Sequence, residues 1–259
     1  MRDALKVTII QSPLFWENPE ANRKLFSEKI SRIKEETNLI ILPEMFTTGF
    51  TMNTSELAEK ENGDTLKWMQ LEANKKDCAI MGSVIILDNN NYYNRLFFVF
   101  PDGEYKTYNK RHTFTLAGED KTYKAGSEQV LIDYLGWKIY PLICYDLRFP
   151  VWARNTQNYD LLLYVANWPE RRITAWDTLL KARAIENMTY CIGVNRIGAD
   201  GNGHKYSGHS AVYDMLGEQI SNSNYEEDFT ETITLQKFHI KTNRKHLQFL
   251  NDRDDFNLK

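Results

Sequence analysis

Three side chains with complementary chemistry each follow a short apolar run: Glu44 after Leu39-Ile40-Ile41-Leu42-Pro43, Lys110 after Tyr105 to Asn109, and Cys144 after Leu142-Ile143. A carboxylate, an ammonium and a thiol make a workable set for acyl transfer. The carboxylate takes the thiol proton and returns it to a leaving amine, and the ammonium stabilises a thiolate and the oxyanion of a tetrahedral intermediate. Taken singly, each has an ordinary structural reading. A thiol at the end of an apolar run is a small buried hydrophobe, which is also how Cys78 and Cys191 read. A Glu after Leu-Pro caps a turn or helix, and a Lys beside Arg111 is surface charge. The joint pattern favours chemistry, because one strand-end edge would gather all three.

The elements that must position them follow from hydrophobic period and turn residues. Lys6 to Ile10 reads as a strand, Pro19 to Glu36 as an amphipathic helix and Asn38 to Leu42 as a second strand. Asp64 to Lys76 reads as a helix, and Ala79 to Ile86 with Arg95 to Phe100 as an antiparallel hairpin about Asn89-Asn90-Asn91. Gly136-Trp137 opens the strand that ends at Cys144. A helix is expected over about Phe149 to Gln157, a strand over Leu161 to Ala166, a helix over Ile173 to Met188 and a strand over Tyr190 to Asn195. Ile173, Trp176, Leu180, Ala184 and Met188 form an apolar stripe suited to core packing. Ser210 to Tyr213 and Thr230 to Leu235 read as late strands, and Lys237 to Leu250 as a weaker helix. Helices interleaved with hairpins and crossovers point to a layered α/β sandwich.

Composition narrows the class. At 259 residues, with no linker-like stretch and no repeat, the chain reads as one domain with a large core. A net charge of −3 with mixed signs gives no footprint for nucleic acid and no polybasic membrane segment. No run approaches the about 20 apolar residues of a membrane helix, and the N-terminus lacks the pattern of a secretory signal. Three scattered cysteines fit reduced thiols, so a cytoplasmic location and a small-molecule partner are expected. Five histidines show no paired zinc spacing, so neither metal nor organic cofactor is expected.

Leu42-Pro43-Glu44-Met45-Phe46, Tyr108-Asn109-Lys110-Arg111-His112 and Ile143-Cys144-Tyr145-Asp146-Leu147-Arg148-Phe149-Pro150 resemble the Glu, Lys and Cys motifs of the nitrilase superfamily of carbon–nitrogen hydrolases, in that chain order. The resemblance runs from the first strand to about Gly217. Thr47 to Phe50, Arg111 to Phe114, Ala166 to Pro169 and Asp200 to Gly203 resemble, more narrowly, the bacterial YafV-type omega-amidases. Residue by residue, the resemblance implies Cys144 as nucleophile, Glu44 as general base, Lys110 as oxyanion-stabilising cation and the Tyr145 N–H as second oxyanion donor. Glu119 matches a second active-site Glu, although the charged Gly118-Glu119-Asp120-Lys121 stretch also reads as a solvated loop.

The resemblance also implies a four-layer αββα sandwich, usually a homodimer, with residues 236–259 a C-terminal extension at a subunit interface. An alternative is that this extension packs on its own domain. The implied reaction is hydrolysis of the terminal amide of 2-oxoglutaramate or 2-oxosuccinamate by water through a Cys144 thioester. The distal carboxylate calls for an arginine, and Arg148, Arg171 and Arg172 are the nearest in sequence. For Arg148 a structural pairing with a nearby acid is expected instead. Phe46, Phe114 and Trp168 are expected to close the pocket, and His112 to orient its neighbours by hydrogen bonding. Other readings stand beside this one: an amidase or carbamoylase for another small amide, a catalytically silent binding subunit, and a metal-dependent phosphoesterase. The last is disfavoured by the missing ligand clusters.

Overall fold

The computed structural model describes residues 2–223 and 225–258. Two sheets stack face to face. The first has the order β13-β1-β2-β3-β4-β5, formed by β1 (Ala4–Gln11), β2 (Leu39–Ile41), β3 (Ala79–Asp88), β4 (Asn91–Val99), β5 (Tyr105–Asn109) and β13 (Phe229–Gln236). The second has the order β12-β9-β8-β7-β6, formed by β6 (Ile132–Tyr134), β7 (Trp137–Ile143), β8 (Leu161–Ala166), β9 (Tyr190–Asn195) and β12 (Ala211–Tyr213). A two-stranded ribbon, β10 (Ile197–Ala199) with β11 (Lys205–Ser207), stands apart from both.

The strand period explains the stacking. In the first sheet Val7, Ile9, Leu39, Ile41, Met81 and Phe98 point inward to meet Ile139, Leu142, Leu161 and Ile192 of the second in one core. The alternate residues Ile10, Ile40, Ile80, Phe97 and Val99 point outward. There they are covered by Phe26 and Ile30 of α1 (Pro19–Arg32) and by Leu66, Met69 and Ala73 of α3 (Asp64–Lys76); a single helical turn, α2 (Thr54–Leu57), precedes α3. Strands buried on both faces read as continuous apolar runs. Beyond α4 (Glu119–Thr122) and α5 (Pro150–Ala153), α6 (Ile173–Asn187) covers the second sheet. Trp176 and Leu180 of α6 press on Gly193 so closely that a Cβ there would lie 2.4 Å from Leu180. The result is the four-layer αββα sandwich expected.

Several local expectations need correction. The helix expected over Phe149 to Gln157 is one turn, Pro150–Ala153. It stops because Asn187 captures the next segment: its side-chain oxygen accepts from the Asn155 N–H at 2.8 Å, and its carbonyl accepts from Asn155 Nδ2 at 3.0 Å. The first helix ends at Arg32, since Ile33 turns extended, and β6, β10 and β11 lie in stretches given no strand. The hairpin about Asn89 and Asn90 forms as expected, with both residues at positive φ, 47° and 59°, the pair a tight type I′ turn requires.

The C-terminal helix α7 (Lys237–Leu247) ends at Gln248 in the left-handed region, and a 3₁₀ turn follows. Its inner face lies on its own chain: Ile240 is buried, Lys237 Nζ donates to the Gly136 carbonyl at 2.6 Å, and Arg244 Nε donates to the Met188 carbonyl at 2.8 Å. Phe238 on the same helix is 74% exposed. No helix among the described residues is long and apolar enough to cross a membrane.

Candidate active site

Glu44, Lys110 and Cys144 follow the C-terminal ends of β2, β5 and β7, so two sheets contribute to one cluster. Glu44 is fully buried, and both its oxygens are held: Oε1 accepts from Asn94 Nδ2 at 2.8 Å and Lys110 Nζ at 3.0 Å, and Oε2 accepts from the Asn167 N–H at 2.8 Å. Asn167 Nδ2 also donates to the Glu44 carbonyl at 2.5 Å. A buried carboxylate needs such donors to stay ionised. Asn94 and Asn167 were missed in the sequence. Asn94 carries a signal, as a polar side chain two residues before the apolar run Leu96-Phe97-Phe98-Val99.

Lys110 bonds both oxygens of Glu119, at 3.0 and 2.9 Å, and its Nζ lies 5.2 Å from the Phe50 ring centre. Burial pulls the ammonium pKa down, but Glu119 and then Glu44 outweigh it and hold the pKa above the ordinary lysine value. Glu119 is fully buried, so it is no solvated loop residue. Its Oε2 accepts from the Phe114 N–H at 2.5 Å. Burial raises its pKa, Lys110 opposes that and Glu44 adds to it. Two carboxylates thus share one ammonium in a buried site.

Cys144 sits at φ +43°, where β7 breaks into a 3₁₀ turn over Cys144–Arg148. A non-glycine residue in this region is strained, and the turn lifts the side chain off the strand. The Glu44 carboxylate lies close enough for its charge to act on the thiol. Burial and then the Glu44 charge push its pKa well up against the opposing pull of Lys110, so the resting form is the thiol. Cys78 and Cys191 are fully buried elsewhere, as expected.

Asp146 braces the turn. Its Oδ2 accepts from the Ile143 N–H at 3.0 Å and Tyr108 Oη at 2.8 Å; its Oδ1 lies 3.0 Å from the His112 N–H and 2.7 Å from His112 Nδ1. The Lys110 segment and the Cys144 turn are therefore tied to one carboxylate. His112 orients its neighbours as expected, and its ring stacks on Phe149 at 3.7 Å.

Cys144 and Lys110 open into a cavity of about 220 Å³, whose walls include Phe50, Met52, Phe114, Tyr145, Trp168, Arg148, Arg171, Arg172, Asp200, Asn202, His204 and Tyr206. Phe114 and Trp168 lie in its walls. Phe46 does not: it lies in the outer core against Phe26, Trp68 and Gly82. Arg148 has no acid partner among the described residues; its guanidinium lies 5.0 Å from the Trp168 ring centre, and Arg172 lies 4.9 Å from that of Phe114. Burial, then the Arg171 charge and to a lesser degree that of Arg148, lower the Arg172 pKa. The carboxylate of Asp200 is already engaged by Tyr206 Oη and the N–H groups of Asn202 and His204. The described residues contain no group of three or more side chains fit to hold a metal.

The profile of a family described as carbon-nitrogen hydrolase matches residues 6–239. The chain is 48% identical over 214 residues to Omega-amidase YafV of Yersinia enterocolitica, covering 83% of each. It is 32% identical over 226 residues to 2-oxoglutaramate amidase of Bacillus subtilis, covering 85% of this chain and 87% of that one. Its fold superposes with a TM-score of 0.97, at 37% identity and over 100% of both chains, on XC1258 from Xanthomonas campestris, a CN-hydrolase superfamily protein with an arsenic adduct in the active site.

Proposed function

The chain belongs to the carbon–nitrogen hydrolase family, and from that premise we propose that it is an omega-amidase converting 2-oxoglutaramate or 2-oxosuccinamate into the 2-oxo dicarboxylate and ammonia. The observation that carries this reading is that Cys144 and Lys110, which is bonded to Glu44 and Glu119, open into one cavity that also holds three arginines without acid partners among the described residues. Relatives called omega-amidase and 2-oxoglutaramate amidase support the substrate class.

Glu44 accepts the Cys144 proton as sulfur attacks the amide carbonyl. The oxyanion is held by the Lys110 ammonium and the N–H of Tyr145, the second residue of a turn whose first donors have no partner within it. Glu44 returns the proton to the departing nitrogen, ammonia leaves and a thioester remains. Water gives a proton to Glu44 and attacks the thioester; the tetrahedral intermediate collapses to the carboxylic acid, Glu44 returns its proton to the departing sulfur, and the acid ionises by releasing its own proton to solvent. Glu119 keeps the ammonium in place through both of its oxygens.

Arg172, with Arg148 and Arg171, takes the distal 2-oxo carboxylate. A guanidinium is suited to that carboxylate, and their unneutralised charge favours an anionic substrate over a neutral amide. The enzyme works in the cytoplasm as a homodimer of one-domain subunits with residues 236–259 at the interface; free Cys78, Cys144 and Cys191 and the exposed Phe238 support this.

The test is ammonia release from 2-oxoglutaramate, 2-oxosuccinamate, succinamate, glutamine and an N-carbamoyl amino acid by wild type and Cys144→Ala. Preference for the 2-oxo amides, abolished in the variant, is expected. Activity surviving in Cys144→Ala would sink the covalent route, and preference for the carbamoyl compound would sink the substrate assignment.

A further inference from the structure

Two walls of the cavity are remote in sequence: one carries Phe50 and Met52, the other is the β10–β11 ribbon with Asp200, Asn202, His204 and Tyr206. The connection between β1 and α1 runs from one to the other. At one end the Ser12 carbonyl accepts from the Ile197 N–H at 3.1 Å. At the other the Glu17 N–H donates to the Thr48 carbonyl at 2.9 Å, and the Glu17 carboxylate accepts from Thr51 Oγ1 at 2.5 Å and Asn53 Nδ2 at 3.3 Å.

Between these anchors the half-buried Trp16 touches both walls at glycines. A Cβ on Gly201 would lie 2.3 Å from Trp16 Nε1, and one on Gly49 would lie 3.1 Å from Trp16 Cε3. Gly49, at φ +75°, has a backbone reason to be glycine. Gly201 has no positive φ, so the indole is what leaves no room for a side chain there. A second brace lies beneath: Arg196, fully buried, stands 4.7 Å from the Tyr206 ring centre and donates to the Ala199 carbonyl at 2.9 Å.

We propose that Trp16 is the spacer that sets the separation of the Phe50 wall from the Asp200–Tyr206 wall, and so selects which acyl chain length reaches Cys144. It does not line the cavity, so it is a positioning residue and not a catalytic one. The choice between four-carbon and five-carbon 2-oxo amides rests on the amidase reading above; the control of cavity width does not. A rigid ring held at two edges resists compression and leaves a gap when truncated, which lets the walls approach or separate.

Two readouts test this on the full chain. The first is kcat and KM for 2-oxosuccinamate and 2-oxoglutaramate in wild type, Trp16→Phe and Trp16→Ala. The second needs no substrate: the ratio of Cys144 alkylation rates by iodoacetamide and by the bulkier iodoacetanilide, read by mass spectrometry, since Cys78 and Cys191 are fully buried. Trp16→Ala is expected to change both the chain-length preference and the alkylation ratio by about tenfold, the scale of one methylene in a shaped pocket, through KM more than kcat and with Trp16→Phe between. Gly201→Ala, which displaces the indole without altering it, is expected to move the alkylation ratio too, and carries the test if Trp16→Ala does not fold. An unchanged ratio in folded Trp16→Ala or Gly201→Ala overturns the proposal. If wild type hydrolyses neither 2-oxo amide, the substrate reading fails and the alkylation ratio still decides the role of Trp16.

Discussion

Lys110 Nζ lies 3.0 Å from Glu119 Oε1 and 2.9 Å from Glu119 Oε2, with the two side chains 1% and 0% exposed. Glu44 binds the same ammonium at 3.0 Å. Removing one partner of a buried ion pair leaves an uncompensated charge, at a cost of about 3–5 kcal/mol. Lys110→Ala strands two carboxylates, so it is expected to lose that much stability in urea unfolding. Adding Glu119→Gln, which removes one stranded charge, is expected to restore part of it. Strictly additive losses would show that the three groups are not coupled.

The Cys144 thiol is held protonated by burial and by the Glu44 charge. Only the thiolate alkylates, so below the pKa the rate climbs with pH. Iodoacetamide labelling is expected to rise about tenfold per pH unit from pH 7 to 9. A plateau below pH 8 would instead report a thiolate already formed at rest.

Glu44 accepts from Asn94, Lys110 and the Asn167 N–H, which hold its carboxylate facing the thiol. Glu44→Gln keeps the shape and loses the base. A fall in kcat of about 10²–10⁴ is expected, with a Cys144 acyl adduct accumulating in mass spectra if thioester hydrolysis suffers most. A kcat within threefold of wild type would remove Glu44 from the proton path.

Arg172 is half-buried beside Arg148 and Arg171, with no acid partner among the described residues. A hydrogen bond to a charged group contributes about 1.5–3 kcal/mol, so Arg172→Met should raise KM for a 2-oxo acid amide at least about tenfold. The KM of an uncharged amide such as butyramide should hardly move. Equal losses for both substrates would point to a packing role over Phe114.

Asp146 accepts from Ile143, Tyr108 and His112. Asp146→Ala leaves these donors buried without an acceptor and is expected to cost about 3 kcal/mol or more in urea unfolding, with Asp146→Asn milder. A stability loss below 1 kcal/mol in Asp146→Ala would show that the brace is dispensable.

The residues 64–76 were legible as a helix because an apolar stripe and flanking turn residues specify it locally, and α3 has those bounds. The Asn89-Asn90 hairpin was legible for the same reason, since asparagine tolerates the left-handed turn. Residues 149–157 were not, because what ends α5 is Asn187, more than 30 residues away. Phe46 read as a pocket aromatic because its motif neighbours Glu44, but the turn at Met45, φ +41°, directs it into the outer core.

The sequence by itself determined the longer elements, the order of Glu44, Lys110 and Cys144, and their placement after strands, because period, turn chemistry and motif spacing are local properties. Only the tertiary structure decided that Glu119 is buried on Lys110, that Asn94 and the Asn167 N–H hold Glu44, that three arginines line one cavity, and that Trp16 stands between two of its walls. Asn167 and Glu44 alone lie 123 residues apart. Their meeting depends on how two sheets stack, and no local pattern in the chain encodes that distance.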